Sequence, residues 1–76
     1  MNDYYSEILT SALDARRKEV MEYQVNITNF TLAIKLIGDD PDLQEFKANL
    51  NGLLSSSILE QRKSQIMLDV IQAQLE

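Results

Sequence analysis

Apolar residues recur along the first half of the chain at alternating steps of three and four. Leu13, Val20, Ile27 and Ile34 form one heptad series, and Leu9, Tyr23, Phe30 and Ile37 interleave with it as a second. That spacing lines them up along one side of an α-helix as a seam for a partner helix. A first helix is therefore predicted over about residues 3–37. Asn2 or Asp3 can cap its start, and Asp3 and Glu7 complement the positive end of the helix dipole.

The ladder ends at Gly38-Asp39-Asp40-Pro41-Asp42. Gly38 suits the left-handed position after a last helical turn. Asp40 is a natural N-cap, with Pro41 at the first position of a new helix. These residues predict a turn at residues 38–40 and a second helix over about residues 41–75. The second helix carries Leu43, Leu50, Leu54, Ile58, Leu68, Ile71 and Leu75 as a stripe. Asn49, Asn51 and Gly52 weaken its middle, and Ser57 with Glu60 spells a capping box, so a break or kink near residues 51–57 is the competing reading. The predicted fold is all-α: one domain over residues 1–76, an antiparallel helical hairpin of two long helices.

A hairpin turning at residues 39–40 sets positions symmetric about the turn side by side. Ile37 is then expected opposite Leu43, Ile34 opposite Phe46, Phe30 opposite Leu50, Ile27 opposite Leu53 and Leu13 opposite Met67. Two helices touch along a single seam, yet apolar residues extend beyond it. Met21, Val25, Leu32 and Leu36 form a further stripe on the first helix, and Ile66, Met67, Val70 and Ile71 crowd the end of the second. Together with the seam they span an arc of about 200°, where a helix facing one partner needs about 100°. These eight residues are the expected oligomer interface, and a four-helix bundle or larger homo-oligomer is the simplest way to cover them.

Composition sharpens this reading. The 76 residues include no cysteine and no histidine, so there is no disulfide, no thiolate metal site and no histidine general base. A core this small usually needs a staple, and oligomerisation is the one left. The formal net charge of −5 opposes general nucleic-acid binding. The start, Met1-Asn2-Asp3-Tyr4-Tyr5, lacks a basic region followed by an apolar core, so no signal peptide is expected. No apolar run approaches the ~20 residues that span a membrane, so a cytoplasmic protein without a transmembrane segment is expected. Two sequons, Asn26-Ile27-Thr28 and Asn29-Phe30-Thr31, fall inside the first helix, where glycosylation is not expected.

The candidate chemistry is a basic belt. Arg16 interrupts the ladder at a rung where an apolar residue belongs. The expected register sets it beside Lys63, and Arg17 and Lys18 beside Arg62. Ser57, Glu60, Gln61 and Ser64 make the facing stretch polar at the same height. The belt of Arg16, Arg17, Lys18, Arg62 and Lys63 can hold an anionic ligand, such as a nucleotide, or an acidic partner. The plainer reading is a polar layer that fixes register, with Asp14, Glu19, Glu22 and Glu60 neutralising the cations locally. The acidic residues at the turn lack the spacing of a calcium loop, so no metal is implied. No nucleophile has a base beside it, and no cofactor motif is present. Tyr4 and Tyr5 can clamp the other hairpin of an oligomer or fray.

The functional expectation is a non-enzymatic protein–protein interaction module: a small helical inhibitor, adaptor or assembly chaperone acting as a homo-oligomer. A binder that sequesters an anionic small ligand at the belt is the alternative. Peripheral docking on a membrane surface ranks third, because acidic charge opposes adsorption on anionic lipid.

Overall fold

The computed structural model describes residues 3–76. A long helix, α1 (Asp3–Ile37), leads through a short turn into a single 3-10 turn, Pro41–Leu43, and then α2 (Gln44–Leu75). The helices pack against each other as an antiparallel hairpin. The expected N-cap at Asn2 lies outside the described residues.

The turn obeys the punctuation of the sequence. Gly38 adopts φ +54°, and its N–H closes on the Ile34 carbonyl. A side chain there would be strained, which is why glycine ends the helix. Asp40 caps the 3-10 turn: its side chain accepts from the Asp42 N–H at 3.0 Å. Two side chains from α2 reach back to the exposed carbonyls. Lys47 Nζ donates to the Gly38 carbonyl at 2.8 Å, and Gln44 Nε2 to the Asp40 carbonyl at 2.8 Å. The positive charge of Lys47 thus meets the negative end of α1, where it is favoured. Helix 2 differs from expectation at its start, which is a 3-10 turn before the α-helix proper.

No break occurs at residues 51–57; α2 is continuous. Asn51 sends its side-chain amide to the Lys47 carbonyl at 3.2 Å, so it works with the helix rather than against it.

The molecule is a rod. Its extents are 62 × 14 × 14 Å and its radius of gyration is 17.4 Å. A compact chain of this length would have a radius of about 11 Å. The core is correspondingly thin. Among the described residues Leu9, Leu13, Leu68 and Ile71 form a cluster at the open end, and Leu50 is buried nearer the turn.

The expected stripe holds at Leu50, Leu54, Leu68 and Ile71, which are buried or half-buried, but the expected pairings through Phe46, Leu53 and Met67 do not. Phe46, Leu53 and Met67 are 52%, 51% and 42% exposed, not packed on α1. Their C-terminal neighbours Lys47, Leu54 and Leu68 face α1 in their place, in line with Leu50, Ser57, Gln61, Ser64 and Ile71. One residue is about 100° of helix rotation. Ile58, expected in the stripe, is 41% exposed. The reason is size and polarity. Small Ser57 and Ser64 are buried in the seam, where Ser64 donates to Glu19 and Gln61 to the Val20 carbonyl and Gln24. Bulkier Phe46, Leu53 and Met67 flank the seam instead.

Candidate functional site

The polar layer halfway along the rod is built from both helices. Gln61 Nε2 donates to the Val20 carbonyl at 3.2 Å and to Gln24 Oε1 at 3.0 Å. Ser64 Oγ donates to Glu19 Oε1 across the seam. The same carboxylate oxygen pairs with Arg16 Nη1 at 3.3 Å. Arg16, Gln61 and Ser64 are thus in or beside one network, as their positions suggest. Glu19 and Gln24 belong to it too. Sequence reasoning marks Glu19 only as a neutraliser of cations and misses Gln24. Both flank the ladder on opposite sides, which is the signal that places them within reach of α2.

The basic belt shares a height but not a face. Arg16 sits at the seam. Arg17 and Arg62 fall on one side of the hairpin, Lys63 on the other, and Lys18 points away from α2, as their helical spacing from the seam requires. Each cation but Arg62 has a carboxylate one turn away on its own helix. Arg17 pairs with Asp14 at 3.9 Å, Lys18 with Glu22 at 4.0 Å and Lys63 with Glu60 at 3.0 Å. Among the described residues Arg62 has no ion pair. No cavity opens at the belt among the described residues. The single hairpin offers an anion dispersed charges, four of them already compensated.

The free end is tied. Tyr5 Oη donates to Gln74 Oε1 at 2.8 Å, joining the first turns of α1 to the last of α2. The bond lies within one hairpin, whereas the expectation from sequence is that Tyr5 clamps the other one.

The apolar surface is the more consequential feature. Of the expected oligomer-interface residues, Met21, Val25, Leu32, Leu36, Ile66, Met67 and Val70 are all exposed, from 42% for Met67 to 87% for Leu36. Ile71 is the correction: at 9% exposure it packs with Leu9, Leu13 and Leu68 inside the hairpin, because α2 turns that position inward. The exposed set also divides by direction. Val25 and Leu32 lie on the side of α1 away from α2. Met67 and Val70 lie on a flank of α2.

That flank can be traced by the hydrogen bonds that cross the hairpin. Tyr5 to Gln74 and Glu19 to Ser64 run along one side, and Gln24 to Gln61 along the other. Positions in helical register with Tyr5 and Gln74 on the first side include Ile8, Phe46, Leu53, Met67 and Val70, all half-exposed. Positions in register with Gln24 on the second side include Asp14, Arg17, Lys35, Arg62, Gln65 and Asp69. The first side also carries Glu19, Glu22, Asn49, Ser56, Glu60 and Lys63, and the second also carries exposed Met21 and Ile58, so the first side is apolar toward its two ends and polar in its middle, which the linear sequence does not reveal while the facing of α2 is open.

No helix is long and apolar enough to cross a membrane among the described residues. Comparison with protein-family models, with curated proteins and with solved structures finds no match.

Proposed function

We propose that this hairpin is a non-enzymatic protein–protein interaction module, a small inhibitor, adaptor or assembly chaperone, that works as a homo-oligomer in the cytoplasm. The observation that carries the reading is surface area. The hairpin exposes 5711 Å². A compact monomer of 8.7 kDa would expose about 4,700 Å². The excess of about 1,000 Å² per chain is what one partner contributes to a standard or slightly larger protein interface. Exposed apolar side chains such as Met21, Leu36 and Ile66 lie on this surface, and such surface marks an association site.

A catalytic role has little to work with. Ser57 and Ser64 are buried, and Ser64 already donates to Glu19. A nucleophile needs a base beside it and a substrate within reach. The anion-sequestering reading draws no support from the belt, whose cations are dispersed around the rod and mostly paired.

Light scattering and sedimentation at micromolar concentration test the proposal. A dimer or larger assembly that remains helical is expected. A stable, fully helical monomer at that concentration overturns it.

A further inference from the structure

We propose that the side of the hairpin carrying Phe46, Leu53, Met67 and Val70 is covered by a second copy of this chain, with α2 packed antiparallel on α2 about a twofold axis near Gln61 and Arg62. This rests on the self-association proposed above and specifies its surface and register. The starting point is a second seam on α2. Phe46, Asn49, Leu53, Ser56, Glu60, Lys63, Met67, Val70 and Gln74 continue the alternation of four and three along the flank, the pattern that another helix reads. Apolar residues stand at both ends and the charged pair in the middle.

The seam is self-complementary in one antiparallel register. Leu53 then meets Val70 of the second copy, apolar on apolar. Glu60 meets Lys63 of the second copy, and the twofold repeats that pair. Gln74 meets Asn49 of the second copy, amide on amide. Met67 against Ser56 is the one mixed contact, and Phe46 lies beyond the overlap with the second copy's α2. Sliding by one heptad loses this: Leu53 falls on Lys63 and Met67 on Asn49, or Glu60 on Val70 and Met67 on Lys63. A parallel pairing sets Glu60 on Glu60 and Lys63 on Lys63, which repel. The favoured register also overlaps nearly the whole of α2, as burial of about 800 Å² or more per partner requires. On α1 the same side brings Glu19 and Glu22 of the two copies together. Each is already compensated within its own hairpin, Glu19 by Arg16 and Ser64, and Glu22 by Lys18. The outward stripe of Val25 and Leu32 stays free in this dimer.

The native chain has no cysteine, so single-cysteine variants report on geometry directly. Leu53→Cys and Val70→Cys are made separately, mixed, unfolded, refolded together and oxidised. A mixed disulfide dimer is expected, with little linkage of either variant to itself. Gln65→Cys, on the opposite side, is expected to remain unlinked. In parallel, Leu53→Glu and Met67→Glu are expected to raise the dimer dissociation constant at least about tenfold while helicity persists. Ile58→Glu and Val25→Glu are expected to leave it unchanged. A wild-type monomer removes both the functional reading and this inference. A wild-type dimer that survives Leu53→Glu and Met67→Glu, or in which Leu53→Cys links to itself, overturns this inference alone.

Discussion

Ser64 Oγ and Glu19 Oε1 meet across the seam, and the carboxylate oxygen is shared with Arg16. Ser64 is only 3% exposed, so its hydroxyl depends on that acceptor. The Glu19 side chain is 40% exposed and keeps access to water. The pair is therefore asymmetric. Replacing Ser64 by Ala frees a carboxylate that water can take over, at a cost of about 1 kcal/mol. Replacing Glu19 by Ala strands a buried hydroxyl and costs about 1–2 kcal/mol. Urea unfolding of both single variants and the double is expected to show a coupling of about 0.5–1.5 kcal/mol. Strict additivity would mean that the contact contributes nothing to stability.

The same serine tests why α2 faces as it does. If small size at the seam sets the approach of the helices, then filling the seam with apolar bulk is harmful. Ser64→Leu and Ser57→Leu are each expected to destabilise by about 1–3 kcal/mol, through forced separation of the helices. A gain in stability from either would show that the seam has room, and that polarity rather than size turns α2.

The two glycines are expected to respond with opposite signs. Gly38 holds φ +54°, so Gly38→Ala is strained and should cost about 1–2 kcal/mol. Gly52 lies inside α2, and a Cβ added there meets nothing within 4 Å. Gly52→Ala should therefore stabilise by about 0.5–1 kcal/mol through helix propensity alone. Thermal melts of the two variants at one fixed protein concentration check both signs, since association shifts the midpoint.

How much is legible in the sequence depends on which signals are local. Gly38, Asp40 and Pro41 act within a few residues of themselves, so the turn and the end of α1 can be read directly, while the 3-10 turn that delays α2 to Gln44 cannot. Pairing height comes from the turn by counting. The facing of α2 does not, because Phe46, Leu53 and Met67 make as good an apolar stripe as Leu50, Leu54 and Leu68. The choice between them depends on how α1 meets α2 at Ser57, Gln61 and Ser64, a property of the pair of helices. Ile71 is expected both in the stripe and in the oligomer interface, and is found inside. The belt fails differently. Counting places Arg16, Arg17, Lys18, Arg62 and Lys63 at the right height, but three successive residues on a helix point in three directions. Shared height alone does not make a site.

The dispersed charges yield the last prediction. Lys18 and Glu22 are 79% and 65% exposed at 4.0 Å, and Lys63 and Glu60 are 61% and 46% exposed at 3.0 Å. Exposed pairs one turn apart are worth about 0.3–0.5 kcal/mol at most. Lys18→Ala should shift stability by less than about 0.5 kcal/mol. Lys63→Ala should do the same within the hairpin, yet weaken the dimer if Lys63 faces Glu60 of a second copy. Raising salt should then reduce the difference in dimer affinity between wild type and Lys63→Ala, because screening weakens the contact that the variant lacks. Calorimetry with inorganic phosphate completes the comparison. Four of the five belt cations already hold carboxylates, and no cavity gathers them, so no saturable heat is expected. Saturable phosphate binding that disappears in both Arg16→Ala and Arg62→Ala would restore the belt as an anion site and displace the interaction module as the leading function.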